Sequence, residues 1–106
     1  MIGTVTLNPC IDRTIALNHL NVGDMNRMDS SRRDVSGKGI NVSIALSNFN
    51  IPVKSCGFIY DGNKEFFLSS LQDEGVEFEG IEVPGMLREN LKIWDKTANI
   101  TTEINQ

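Results

Sequence analysis

A lysine between two glycines, just before an amphipathic segment, is the part of the chain best suited to chemistry. Gly37, Lys38 and Gly39 precede apolar residues at the i, i+3, i+4 and i+7 spacing of one helix face: Val42, Ala45, Leu46 and Phe49. The loop therefore lies at a helix N-terminus, where unpaired N–H groups and the helix dipole favour anions. Glycines let the backbone approach a ligand, and the lysine adds a positive charge. The pattern predicts a phosphate or sugar-phosphate cradle, although an ordinary glycine-rich turn with a solvated lysine fits the spacing equally well.

Two familiar phosphate motifs are excluded at this loop. A P-loop requires a glycine where Arg32 stands and a serine or threonine where Gly39 stands. The dinucleotide pattern G-x-G-x-x-G fails because Val42 replaces its last glycine. A ligand at this loop must therefore be bound by a motif other than these two.

Composition narrows the class of protein. The chain has 106 residues, 40% of them hydrophobic, which suits one small globular domain. Its net charge of −4 gives no basic surface for nucleic acid, and no apolar run approaches the length of a membrane span. The N-terminus carries no secretion signal, so we expect a cytoplasmic protein with Cys10 and Cys56 as reduced thiols. His19 has no evident orienting partner, and a catalytic role for it is not favoured.

Residues 2–83 contain alternating strand and helix patterns. A strand at 2–7 ends at Asn8-Pro9. Asp12 follows that strand end, a common place for ligand contacts, and could hold hydroxyl groups; a turn or strand-edge aspartate is the alternative. The remaining predicted elements are a helix at about 39–48 ending near Asn50, a strand at 53–60, a helix at 64–73 with Gly75 at its C′ position, and a strand at 76–83 in which Gly80 is expected to mark a bulge.

The alternation of strands and helices predicts a parallel sheet with right-handed crossovers. Three further extended segments do not fit that rhythm: 13–17, 25–35 and a hairpin within 90–105. They predict a second, small sheet, which could serve as a lid over a site or as a dimer contact.

Four motifs, in this order, resemble the N-terminal part of the ribokinase-like sugar kinases. They are Thr6-Leu7-Asn8-Pro9 with Ile11-Asp12, Gly37-Lys38-Gly39-Ile40-Asn41-Val42, Arg88-Glu89-Asn90-Leu91-Lys92-Ile93, and Thr102-Glu103-Ile104-Asn105. The resemblance covers essentially the whole chain, and it is strongest to the branch of 1-phosphofructokinases, with tagatose-6-phosphate kinases next.

The resemblance implies an α/β fold: a parallel sheet with flanking helices plus a small β-sheet lid. The core would comprise about 2–8 and 37–84, and the lid strands about 12–35 and 89–105. By motif position, Asp12 and Asn41 would bind the sugar, the backbone at Gly37 and Gly39 would approach it closely, and Lys38 and Arg88 would pair with its phosphate. A guanidinium and an ammonium suit that task because both neutralise phosphate charge.

The family also implies a reaction and its cofactors. The parent enzyme would transfer the γ-phosphoryl group of ATP, with Mg²⁺, to fructose 1-phosphate; tagatose 6-phosphate is the alternative acceptor. Family members are longer, and their C-terminal part carries a Gly-Ala-Gly-Asp segment that supplies the catalytic base. No such segment occurs in these 106 residues. We therefore expect the N-terminal part of a kinase, inactive alone, with a non-catalytic sugar-phosphate-binding or lid-dimerisation module as the other interpretation.

Two positions depart from the family pattern. Ser36 stands where glycine or alanine is usual, a mild change. Leu87 replaces the usual threonine before Arg88, which we expect to loosen the orientation of the arginine.

Overall fold

Two β-sheets and two α-helices make up the computed structural model, which describes all 106 residues. The strands are β1 (Ile2–Thr6), β2 (Cys10–Leu17), β3 (Ser30–Ser36), β4 (Val53–Tyr60), β5 (Glu77–Val83), β6 (Glu89–Asp95) and β7 (Ile100–Ile104). The helices are α1 (Lys38–Asn48) and α2 (Lys64–Asp73), with a 3₁₀ turn at Asp61–Asn63. The chain forms two units, Met1–Cys10 with Val35–Arg88 and Ile11–Asp34 with Glu89–Gln106. Neither helix is long and apolar enough to cross a bilayer.

The first unit contains the predicted parallel sheet. Its strands lie in the order β1-β4-β5, and both pairings are parallel. Helix α1 packs on β1 and β4, whereas α2 packs on β4 and β5. This arrangement brings the carboxyl end of β1 close to the start of α1.

The buried face of α1 differs from the predicted one. Ile40 and Ser43 are fully buried, whereas Val42 is 51% and Phe49 is 77% exposed. Hydrogen bonds between hydroxyl groups determine which face of α1 is buried. Ser43 Oγ lies 2.5 Å from Thr4 Oγ1, and Thr4 Oγ1 donates to Ser55 Oγ at 3.0 Å. Because these short side chains satisfy one another, the helix can turn its serine, rather than its larger apolar residues, towards the sheet. The predicted stripe of Val42, Ala45, Leu46 and Phe49 is therefore wrong as the buried face.

Helix α2 has the predicted bounds and buries much of its predicted stripe. Phe67 and Leu71 are fully buried, and the Phe67 ring meets the Phe78 ring of β5 edge-on at a centroid distance of 4.9 Å. Gly75 ends the helix with a φ of 74°, and the Val76 N–H donates to Leu71 O at 2.9 Å. This is the glycine C-cap that the sequence predicts.

The bulge predicted at Gly80 is absent. The register of β4 with β5 runs without interruption from Lys54↔Glu77 to Tyr60↔Val83, and it pairs Gly57 with Gly80. A Cβ atom at Gly80 would overlap the carbonyl oxygen of Gly57. The glycine therefore permits close pairing of two strands, a use that sequence alone does not distinguish from a bulge.

The second unit holds most of a four-stranded sheet with the order β3-β2-β6-β7. Strands β6 and β7 form the predicted antiparallel hairpin, whereas β2 pairs with β6 in parallel. Strand β2 begins at Cys10, three residues before the predicted start, and β3 begins only at Ser30. The Asp95 carboxylate connects two turns of this unit. It accepts hydrogen bonds from the Leu20 N–H at 3.0 Å and from the Ala98 N–H at 2.9 Å.

Candidate functional site

The Gly37-Lys38-Gly39 loop forms the N-terminus of α1, as predicted. Helix α1 begins at Lys38 with Gly37 as its N-cap, and no side chain caps its first N–H groups. Its first turn contains no acidic residue. Since neither a capping side chain nor an acid in the first turn neutralises the positive end of the helix dipole, this end remains suited to an anion.

Close packing against β1 also explains why glycine is needed at both Gly37 and Gly39, apart from any approach of a ligand to the backbone. A Cβ atom at Gly37 would lie 2.8 Å from Thr6 Cγ2, and Gly37 has a φ of 145° that favours glycine. A Cβ atom at Gly39 would overlap Thr6 Oγ1 and lie 2.8 Å from the carbonyl oxygen of Val5. Both glycines therefore let the helix N-terminus approach the end of β1. The Thr6 hydroxyl is buried at this contact without a hydrogen-bond partner.

Asn41 lies in the first turn of α1, and its side chain turns back towards the loop. Its Nδ2 donates to Ser36 Oγ at 3.4 Å, a long hydrogen bond on an exposed surface. Ser36, which stands where the family usually has glycine or alanine, therefore accepts a hydrogen bond from the Asn41 amide near the helix N-terminus.

Arg88 follows a well-anchored residue at the end of the first unit. Leu87 is 5% exposed, and its N–H donates to Asn63 Oδ1 at 3.0 Å. The backbone just before Arg88 is therefore fixed although the usual threonine is missing. The Nε atom of Arg88 is buried and has no hydrogen-bond acceptor. An unpaired buried N–H is costly, so this guanidinium is ready to donate to a bound anion.

Neither Lys38 nor Arg88 has a carboxylate within ion-pair distance in the structure. Other basic side chains of the first unit do: Lys54 Nζ lies 3.0 Å from Glu79 Oε1, and Lys64 Nζ lies 3.1 Å from Glu82 Oε1. The Glu79 carboxylate, by accepting a hydrogen bond, raises the pKa of Lys54. The two cations predicted to bind phosphate are thus not neutralised by the protein's own acids.

Asp12 belongs to the second unit, unlike the other predicted site residues. It lies on β2 in register with Asn90 of β6, and its Oδ2 is 3.7 Å from Lys92 Nζ. Its side chain is only 20% exposed. The structure thus gathers Gly37, Lys38, Gly39 and Asn41 at one helix end, and their meeting with Asp12 and Arg88 stays a prediction.

Asp95 gives His19 the partner that the sequence did not reveal. His19 Nδ1 lies 2.9 Å from Asp95 Oδ2, although the two residues are far apart in sequence. The pKa of Asp95 is lowered, first by the Ala98 and Leu20 N–H groups and then by His19. The exposed imidazole belongs to this turn network, and the pairing could not be read from local spacing.

No group of three or more metal-ligating side chains occurs in the chain.

The comparison with known proteins decides the family. The sequence pattern of the pfkB family carbohydrate kinases matches residues 5–106. The chain belongs to the pfkB family of carbohydrate kinases. A 1-phosphofructokinase of Xanthomonas campestris is 40% identical over 96% of the chain, and one of Bacillus subtilis is 38% identical over 99%. The chain spans about a third of these relatives, 32% and 34% of their lengths.

Solved structures confirm the predicted N-terminal part of a ribokinase-like fold for this pfkB family chain. A possible 1-phosphofructokinase of Thermotoga maritima matches all of the chain with a TM-score of 0.87 at 33% identity, and the chain covers 35% of it. The tetrameric inhibited form of phosphofructokinase-2 from Escherichia coli matches 99% of the chain with the same TM-score. The chain covers 34% of that protein, and their 22% identity supports the fold alone.

Proposed function

We propose that these residues form the sugar-phosphate-binding part of an ATP-dependent kinase that converts fructose 1-phosphate to fructose 1,6-bisphosphate. The observation that carries the proposal is the helix end at Gly37-Lys38-Gly39, which has neither a capping side chain nor an acid in its first turn. It lies in a pfkB family chain whose relatives include 1-phosphofructokinases at 38% and 40% identity.

The proposed roles follow from the chemistry of each group. The N–H groups at the start of α1 and the Lys38 ammonium attract the phosphate of the substrate, and the Arg88 guanidinium donates to it. Asp12 accepts from sugar hydroxyls, and Asn41 can donate to one and accept from another. These residues bind and orient the acceptor, so that a hydroxyl is held where a phosphoryl group can be delivered.

The chemical step itself needs groups that these residues do not supply. Phosphoryl transfer depends on positioning, charge stabilisation and a base near the accepting hydroxyl. ATP with Mg²⁺ would supply the phosphoryl group in the whole enzyme. The 106-residue polypeptide by itself is expected to be inactive.

Fructose 1-phosphate is preferred to tagatose 6-phosphate because the similar curated proteins are named 1-phosphofructokinases. A cytoplasmic location belongs to the same proposal and agrees with the two cysteines, Cys10 and Cys56, which do not form a disulfide with each other.

Self-association through the second sheet is a further part of the proposal. Strand β7 lies at one edge of that sheet, and all five of its residues are exposed. An open strand edge is a template for pairing with another chain.

Kinetics of the protein at its natural length test the proposal. We expect Lys38→Met and Arg88→Ala each to raise KM for fructose 1-phosphate about 10- to 100-fold, the range for a hydrogen bond to a charged group. Lys54→Met is the matched control, because it removes a cation that pairs with Glu79 on the surface. A protein that does not phosphorylate fructose 1-phosphate, or a KM that none of the variants changes, contradicts the proposal.

A further inference from the structure

Asn63 occupies a helix N-cap without capping its own helix. It is the N-cap of α2, yet its side chain makes no hydrogen bond to the first turn. Asparagine is favoured at this position because its oxygen usually accepts from the N2 or N3 backbone N–H. Here Asn63 Oδ1 accepts from the Leu87 N–H at 3.0 Å instead. The Asn63 side chain therefore binds the backbone of a loop that is distant in sequence rather than the first turn of its own helix.

The same turn holds that loop by two more hydrogen bonds. Asp61 Oδ1 accepts from the Gly85 N–H at 3.0 Å, and the Gly62 N–H donates to Gly85 O at 2.8 Å. A Cβ atom at Gly62 would overlap Met86 Sδ and lie 2.7 Å from Gly85 O, so the contact requires glycine. We call this set of contacts, made by Asp61, Gly62 and Asn63, the loop clamp.

The loop clamp ends one residue before the proposed phosphate ligand. Leu87 is held by its N–H and by its buried side chain, and Arg88 has a buried Nε with no acceptor and no carboxylate partner. No ion pair within the chain therefore orients this guanidinium. The hydrogen bond from the Leu87 N–H to Asn63 Oδ1 instead fixes the backbone next to Arg88.

We propose that Asn63 is a positioning residue that fixes Arg88 for binding of the sugar phosphate, with Asp61 as a second anchor. This inference rests on the proposed function, because it assigns the clamp to the same phosphate. Pre-positioning reduces the conformational freedom that the arginine side chain loses on binding, and hence improves affinity.

Titration calorimetry of the natural-length protein with fructose 1-phosphate tests the inference. Asn63→Ser keeps a capping residue at the start of α2 but is too short to hold Leu87, and it should weaken binding about fivefold or more. Asn63→Asp keeps the accepting oxygen and should bind within about twofold of the wild type. Asp61→Ser opens the other anchor and should weaken binding in the same direction.

A double-mutant cycle separates positioning from a general structural effect. Arg88→Lys removes the planar fork and should weaken binding about tenfold. In that background Asn63→Ser should have little further effect, because the group that it positions is gone.

The outcomes distinguish the two proposals. If Arg88→Lys leaves the affinity unchanged, the proposed phosphate role of Arg88 fails. If Arg88→Lys weakens binding but Asn63→Ser and Asp61→Ser do not, or if Asn63→Ser acts equally in both backgrounds, the positioning role is wrong and the proposed function stands.

Discussion

At the scale of the residue, Asp95 shows how one side chain organises a whole region. Its two carboxylate oxygens accept N–H groups from the turns on either side, at Leu20 and at Ala98, and His19 contacts it as well. Its side chain is largely buried, so these turns depend on a group that both accepts hydrogen bonds and carries charge.

Asp95→Asn should lower the melting temperature of the protein. An amide can accept from one of the two N–H groups through its oxygen but presents its NH₂ to the other, which leaves that N–H without an acceptor. Asp29→Asn is the matched control in the same unit, since Asp29 forms an exposed ion pair with Lys96 at 2.6 Å and such pairs contribute little. Equal melting temperatures for Asp95→Asn and Asp29→Asn would show that the carboxylate does not hold the turns.

The pH dependence of stability has a definite sign for this group. The pKa of Asp95 is lowered in the fold from its ordinary 3.8, so its stabilising effect is present above that pH and is lost as the pH falls below it. The difference in melting temperature between the wild type and Asp95→Asn should therefore be constant from pH 7 to about pH 5 and become smaller as the pH falls through 3.8. A gap between them that stays constant below pH 4 would contradict the assignment.

At the scale of the element, local sequence signals predict the bounds of β4 and α2 but not the buried face of α1. The bounds of β4 and α2 were predicted correctly, because Pro52, the Asp61-Gly62-Asn63 turn and Gly75 mark them locally. The buried face of α1 was not, because it depends on hydroxyl partners contributed by two other strands. The residues of the loop at α1 could be predicted as anion-binding, whereas the hydrogen bond from Leu87 to Asn63 joins positions whose proximity only the fold creates.

Two substitutions in α1 test which face is buried. Ile40→Ala should lower the free energy of unfolding by about 2–5 kcal/mol, because it leaves a cavity at a fully buried position. Val42→Ala should change it by about 0.5 kcal/mol or less, as is usual for exposed positions. Denaturant titration of both variants gives the comparison, and a larger loss for Val42→Ala would restore the face predicted from periodicity.

At the scale of the whole molecule, one face of the parallel sheet carries apolar side chains without a helix over them. Thr4 contacts Ser43 of α1 and Phe78 contacts Phe67 of α2, so those residues point to the helical face. Val5 and Ile81, which alternate with them, point the other way and are 64% and 68% exposed. Parallel sheets normally have both faces covered.

The 106-residue polypeptide purified alone should therefore self-associate or melt at a low temperature. Sedimentation velocity over a range of concentrations and thermal unfolding give the readout. The double variant Val5→Thr, Ile81→Thr should reduce association, because it makes the open face more polar. A monomer at high concentration with a sharp melt above about 60 °C would show that the sheet needs no further cover.

The division of the second unit into two chain segments has a consequence for synthesis on the ribosome. Strand β2 pairs in parallel with β6, but β6 ends at Asp95, about 80 residues after β2 has been made. At a translation rate of roughly 5–20 residues per second, some 4–16 s pass between the synthesis of β2 and that of β6. The intervening segment, Val35–Arg88, contains both helices and two strands of the first unit, so that unit can fold during the wait. The order of translation therefore favours folding of the parallel sheet before β6 completes the second sheet.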